Sequence, residues 1–425
     1  MSSSIVINEC FTLLQVAKLQ AIVFCFSNKV ELYHLKYSQR AQAISPFFAM
    51  AFGEKAARLE AQGKHVIKLN IGEPDFGAPP DVLFAMQGLA INAPLPYTSA
   101  LGLPELRAAI AGFYQTTHQI ELDPRRIVVT AGASAALLLL SAAFVDEGDN
   151  VLMADPSYPC NKQFIKSFGG NVQLVPTQAE SRFQLNMALL KEHWQPGTRG
   201  LMLATPSNPT GTAIGADELA AMCQFARSKG AWRIVDEIYL NLHHGEVASP
   251  PMSVLSFDDE ALVINSFSKY FGMTGWRLGW CVVPERAVDV MERLAQNYYI
   301  CPSTLAQKAA LQCFTPSSIA VCESRRATLI TRKKLILAGL QSCGLHVPVH
   351  PDGAFYVYID VSSTGLSAMT FCERALQEVH VALTPGNDFG EYQGDQYVRL
   401  SFASAESELE EGLHRLAIFM ERLSS

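Results

Sequence analysis

No Cys-x-x-Cys pair and no His and Cys cluster at zinc spacing occurs among the 10 cysteines and 10 histidines of this 425-residue chain. Neither a metal site nor a disulfide framework is therefore indicated, and reduced thiols in a cytoplasmic protein are expected. Charge is also scarce: 17% of residues are charged and the net charge is -7, which leaves no basic footprint for nucleic acid or an anionic membrane. Any anion must then be met by local arginines. Long apolar runs are lacking too. The stretch 10–26 is broken by Gln15, Lys18 and Gln20, follows no basic residue and precedes no small-residue cleavage site. An amphipathic helix or a disordered lead-in is expected there, not a spanning helix or a secretory signal. Internal repeats and low-complexity tracts are absent.

What is present is a chain that is 49% hydrophobic, long enough for more than one core. Short β-branched runs at 127–130, 150–153, 201–204, 233–236 and 262–265 read as buried strands. Helical patterns such as 135–144 and 216–229 separate them. Strand and helix in alternation predict an α/β fold, a mostly parallel sheet with helices on both faces. Beyond Arg325 the pattern changes to a long helix ending near Cys343, strands at 354–359 and 396–402, and a closing helix at 406–423. That order predicts a smaller α+β domain.

Ligands of open α/β sheets gather at the carboxyl ends of the strands, so the residues following each strand carry most information. After the first comes Ala131-Gly132-Ala133-Ser134 at a helix start. This is an anion site of the phosphate-binding kind or, with equal weight, a plain turn capped by Ser134. The second is followed by Asp155-Pro156-Ser157-Tyr158-Pro159, whose Tyr158 offers an aromatic face to a flat heterocycle. The third leads into Asn208-Pro209-Thr210-Gly211, whose Asn208 amide can donate to a ring oxygen. The fourth ends in Asp236-Glu237-Ile238-Tyr239, a carboxylate at a buried strand end that costs several kcal/mol unless paired.

The fifth delivers Asn265-Ser266-Phe267-Ser268-Lys269-Tyr270-Phe271-Gly272-Met273-Thr274-Gly275-Trp276-Arg277. A lysine amine forms a Schiff base with a carbonyl, and serines with an arginine suit phosphate oxygens. The tetrapeptide Ser-Phe-Ser-Lys alone is more often a solvated turn. Arg399 lies inside the apolar strand 397–402, where a substrate carboxylate or a structural salt bridge must balance it.

The full run from Asn265 resembles the lysine signature of the class I and II pyridoxal-phosphate-dependent aminotransferases, of fold type I. Asn208-Pro209-Thr210-Gly211, Gly72-Glu73-Pro74-Asp75-Phe76 and Pro96-Tyr97-Thr98-Ser99 match further family segments in order. The resemblance implies a large domain over 82–329 and a small domain made of 37–81 and 330–425; it leaves 1–36 without a role. It implies an aminotransferase that moves an amino group between an L-amino acid and a 2-oxo acid, using pyridoxal 5'-phosphate on Lys269.

The same resemblance gives Asp236 the ring nitrogen, and Tyr239 and Asn208 the ring oxygen. Tyr158 would stack on the ring. Ala133, Ser134, Ser266, Ser268 and Arg277 would hold the phosphate, together with Tyr97 across a homodimer interface. Gly72, Asn208 and Arg399 would meet the substrate. One departure bears on specificity: Ser134 stands where a dicarboxylate-specific branch carries a lysine, so neutral amino acids are expected as donors over aspartate.

C–S β-lyase and decarboxylase chemistry need the same core residues and stay open as alternatives. Gly132-Ala133-Ser134-Ala135-Ala136 also imitates a hydrolase nucleophile elbow, with Asp236 and His243 or His244 following, but it lacks the last glycine. A cofactor-sensing regulator would need a DNA-binding head, for which residues 1–36 are too short and too apolar.

Overall fold

The computed structural model describes residues 36–92, 94–245, 251–424; the segment 10–26 lies outside them. Two units are separate, one ending at Ile44 and one beginning at Ser45. In the first, the described residues hold one short helix, Gln39–Gln42, whose N-terminus Ser38 caps by accepting from Ala41 N–H.

The second unit opens with a helix, Phe48–Glu60, and a two-residue strand, β1 (Ile67–Lys68). Its main sheet uses β2 (Ile127–Thr130), β3 (Asn150–Asp155), β4 (Asn171–Pro176), β5 (Thr198–Ala204), β6 (Trp232–Asp236), β7 (Leu262–Ser266) and β8 (Gly279–Val282). The spatial order is β2-β8-β7-β6-β5-β3-β4, with all pairings parallel except those of β8. Two of these strands, β4 and β8, were not predicted. β4 is interrupted by Gln173 and ends in Pro176 at the sheet edge, and β8 is only four residues long.

Alternation along the strands sorts side chains to two cores, as a period of two requires. Val129, Leu201, Leu203, Val235 and Val263 join one. Val128, Met202, Ile234, Leu262 and Ile264 join the other, with Leu137 and Leu140 of the helix Ala133–Phe144. A sheet buried on both faces favours apolar residues through the middle of its strands, and most of these strands read that way in sequence; a buried exception, Arg233 in β6, is paired with Asp258 at 2.7 Å.

The long helix Pro316–Ser342 starts at Thr315, whose Oγ1 accepts from Ser318 N–H at 3.2 Å, with Pro316 pre-set for the first turn. After it come β9 (Tyr356–Asp360), β10 (Val381–Ala382), β11 (Thr384–Pro385) and β12 (Tyr397–Ser401). β10 pairs with β1, while β11, β12 and β9 form an antiparallel sheet in that order. That register sets Arg399 between Thr384 and Tyr358. The closing helix is Glu406–Ser424.

Candidate active site

A cavity of about 370 Å³ lies at the carboxyl ends of the parallel strands, where a doubly wound sheet places its ligands. Its wall includes Gly72, Ala133, Ser134, Tyr158, Asn208, Asp236, Tyr239, Ser268, Lys269, Arg277 and Arg399. Eleven of the thirteen residues singled out in sequence are thus brought together. Ser266 stands just behind the wall: its Oγ lies 2.9 Å from Ser268 Oγ and accepts from Ser268 N–H at 3.0 Å. Tyr97 is 78% exposed and does not line this chain's cavity.

One end of the cavity is built for an anion. The helix Ala133–Phe144 begins at Gly132, with no side-chain cap and no acidic residue in its first turn. Ser134 is therefore not the cap: the helix starts two residues earlier than predicted, and Gly132 holds the N-cap at φ +86. A Cβ on Gly132 would come 2.4 Å from Arg277 Nη2, so only glycine lets the guanidinium close on the helix end. Open N–H groups, the helix dipole, Ser268 and Arg277 together suit a phosphate.

The middle of the cavity suits a flat ring that carries a basic nitrogen. Asp236 is 7% exposed, and its Oδ1 accepts from Ile238 N–H at 3.0 Å. Burial pushes its pKa up to about 6, against the pull of the Ile238 N–H and of Lys269. A cation or a protonated ring nitrogen at this carboxylate would reverse that shift. Tyr158 stands across the cavity, edge-on to Phe47 with centroids 6.2 Å apart.

Lys269 is half-buried, and its Nζ donates to the Gly72 carbonyl. Burial first, and then the positive field of Arg399, lower its pKa to about 8. A lysine so tuned holds a useful neutral fraction near neutral pH and is a competent nucleophile and base.

Arg399 is 2% exposed. Its Nη1 donates to Asn208 Oδ1 at 2.9 Å and its Nη2 to the Asn70 carbonyl at 2.6 Å. The guanidinium lies 4.6 Å from the Tyr356 ring centroid and 4.8 Å from that of Phe389. Its Nε is buried with no hydrogen-bond partner. An always-charged group met by neutral oxygens, with one donor unused, fits an incoming carboxylate. The salt-bridge alternative for Arg399 has no support in these contacts.

Sequence reasoning missed Tyr356, whose hydroxyl lies 2.8 Å from that of Tyr239 and whose ring covers Arg399. A Cβ on Gly72 would come 2.3 Å from the Tyr356 hydroxyl, which explains the glycine. The aromatic alternation Phe355-Tyr356-Val357-Tyr358 was the available signal, yet β9 reaches the site only through pairing with β12. Phe47, Met50, Ile71 and Thr274 were missed as well. The hydrolase reading fails on geometry: among the described residues no histidine lines the cavity, and His244 is buried between the carbonyls of Pro351 and Ala354.

Residues 64–416 match the model of the family described as aminotransferase class I and II. The valine–pyruvate aminotransferase of Mycobacterium tuberculosis is 38% identical over 380 residues, covering 89% of this chain and 97% of that relative. An aspartate aminotransferase of Pyrococcus abyssi is 35% identical, over 83% of this chain and 91% of its own length. Among solved structures, an aminotransferase from Mycobacterium tuberculosis superposes with a TM-score of 0.88 at 37% identity, covering 91% of this chain and 99% of that one.

Proposed function

The chain belongs to the class I and II aminotransferases, and from that premise we propose that its amino donor is a neutral L-amino acid of aliphatic type, with valine and alanine as the first candidates. As an enzyme of this family, of fold type I, it transfers amino groups between amino acids and 2-oxo acids with pyridoxal 5'-phosphate. The cofactor supplies an aldehyde that takes up the amino group and a protonated ring that withdraws electrons from the reacting carbon.

Each other task falls to a residue of this chain. Arg277, Ser268 and the start of the helix Ala133–Phe144 hold the phosphate, with Ser266 fixing Ser268. Asp236 would keep a proton on the ring nitrogen, Asn208 and Tyr239 would donate to the ring oxygen, and Tyr158 would offer its aromatic face to the ring. Arg399 fixes the substrate α-carboxylate beside Asn208 and Gly72. Lys269 Nζ would accept the proton of the donor's α-carbon and hold it as its ammonium.

The observation that carries the specificity is the cation inventory. Among the described residues lining the cavity the cations are Lys269, Arg277 and Arg399, and each already has a task. Ser134 brings none, and Phe47, Met50, Ile71, Leu137 and Ile238 make much of the remaining wall apolar. A distal carboxylate left unpaired there costs about 1–3 kcal/mol, roughly fivefold to 150-fold in kcat/KM. The name of the Mycobacterium tuberculosis valine–pyruvate relative points the same way. Steady-state kinetics with alanine, valine, methionine, phenylalanine and aspartate, against pyruvate and 2-oxoglutarate, test the reading. A clear preference for aspartate refutes it.

The working unit in this reading is a homodimer. Leu83, Phe84 and Ile91 on the helix Pro80–Asn92, with Tyr97, Tyr298 and Ile300, are exposed apolar side chains. Exposed aromatic and aliphatic side chains of this kind support a symmetric partner whose phosphate site Tyr97 completes. Within each chain, 82–329 form the large domain and 37–81 with 330–425 the small one. Cytoplasmic placement is supported by eight described cysteines, all free. No helix among the described residues is long and apolar enough to cross a membrane.

A further inference from the structure

The helix Phe48–Glu60 begins without help from its own sequence. Its N-cap is Phe47, which makes no side-chain cap hydrogen bond, and its first turn has no acidic residue. Four unsatisfied N–H groups at a helix start require partners, and here the partner is distant in sequence. Asp388, 4% exposed, accepts from Phe48 N–H at 2.9 Å through Oδ1 and from Ala49 N–H at 3.0 Å through Oδ2.

Asp388 stands four residues after Thr384, the β11 residue that pairs with Arg399, and its neighbour Phe389 packs on the Arg399 guanidinium. A second tether runs in parallel. Asn70 Nδ2 donates to the Ala49 carbonyl at 3.1 Å, while the Asn70 carbonyl accepts from Arg399 Nη2 at 2.6 Å. The segment held in this way contributes Phe47, Ala49 and Met50 to the cavity wall. The turn that follows β11, the strand paired with Arg399, therefore also suspends one apolar wall of the same cavity.

We propose that Asp388 is a specificity-positioning residue: by capping the helix Phe48–Glu60 from the turn after β11, the strand paired with Arg399, it fixes Phe47 and Met50 at a set distance from a carboxylate held by Arg399, so that the site reads the size of the donor side chain. The proposal rests on the assignment of Arg399 to the substrate α-carboxylate. A loosened wall makes little difference to alanine, whose single methyl reaches little of it. Valine carries two more carbons, each worth about fourfold when buried.

The experiment compares kcat/KM for valine and alanine in the cofactor-loaded wild type, Asp388→Ala and Asp388→Asn, alongside titration of the bound-cofactor absorbance with isovalerate and propionate. In Asp388→Ala the valine-to-alanine ratio is expected to fall about tenfold, with the isovalerate-to-propionate affinity ratio moving the same way. Asp388→Asn, which keeps one acceptor, should fall between. A general loss of stability lowers both donors together and leaves both ratios where they were. Phe47→Ala should reproduce the shift, and adding Asp388→Ala to it should change the ratio little further. Unchanged ratios in both Asp388 variants overturn the proposal, and if Asp388→Ala does not load cofactor, Asp388→Asn decides alone. Failure of the underlying assignment looks different: Arg399→Leu would then leave both carboxylates binding as in the wild type.

Discussion

Replacing Arg399 by leucine is the most demanding test of the site, because the structure fixes both the size of the effect and its evenness. The guanidinium is buried in β12, covered by Tyr356 and Phe389, and bonded to the neutral oxygens of Asn208 and Asn70. Removing it does not orphan every neighbour, since the Asn70 carbonyl still accepts from Thr384 Oγ1 at 2.9 Å. A leucine in place of a buried cation met by neutral oxygens should keep the fold, because the desolvation cost of the charge goes with it. Catalysis is another matter. A carboxylate held by two charge-assisted hydrogen bonds loses about 1.5–3 kcal/mol for each, or about 3–6 kcal/mol in all. At 1.36 kcal/mol per decade that is roughly a hundredfold to ten-thousandfold in kcat/KM. All donors share the α-carboxylate, so alanine, valine, methionine and phenylalanine should fall by similar factors, while cofactor absorbance and Tm stay near those of the wild type. Arg399→Lys keeps the charge but not the fork, and should recover only part of the loss. A selective loss confined to one donor, or a loss under tenfold, would refute the assignment.

Lys269→Ala should abolish transamination, and borohydride reduction of the wild type should fix the cofactor to Lys269; a tag on another lysine ends that assignment. Because burial and Arg399 bring this amine down to about 8, the rate at which cofactor-free enzyme takes up pyridoxal phosphate should climb as pH approaches about 8 and level off above it. Asp236→Asn should bind cofactor yet slow both half-reactions, and wild-type single-turnover rates would remove Asp236 from its role. The same carboxyl makes a stability prediction for the cofactor-free protein. Its pKa of about 6 in the fold exceeds its ordinary 3.8, so its contribution is most favourable below about pH 4 and is lost as pH rises through about 6, a difference of about 3 kcal/mol. Asp236→Asn should therefore raise Tm of the cofactor-free protein at about pH 7.5 and leave it unchanged near pH 4; a Tm difference independent of pH contradicts the argument. Finally, sedimentation should find a dimer, and Tyr97→Phe should weaken cofactor binding by about 0.5–1.5 kcal/mol; a fully active monomer overturns the shared site.

The polar residues that line the cavity were legible because they follow strands that announce themselves. A buried parallel strand is mostly apolar, so Asp236 after Ile234-Val235 and Lys269 after Leu262-Val263-Ile264 stand out as polar groups that the fold must balance. Likewise Arg399 inside Tyr397–Ser401 is costly unless it meets an anion, and its apolar neighbours in the chain are enough to reveal that cost. The strand β4 was not legible, since an edge position needs no unbroken apolar run, and β8, only four residues long and opening on Gly279 straight after the lysine run, was missed as well.

The α/β alternation, the order of the strand-end motifs and the types of group in the site could all be read along the chain, because local periodicity and buried polar residues are written in neighbouring positions. What faces those groups was settled by packing alone. Tyr356 meets Tyr239 from 117 positions away, Gly132 yields to Arg277, and Asp388 caps a helix 340 residues upstream. Contacts of that separation depend on how sheets and helices pack against one another, and no local pattern encodes the packing of one element on another.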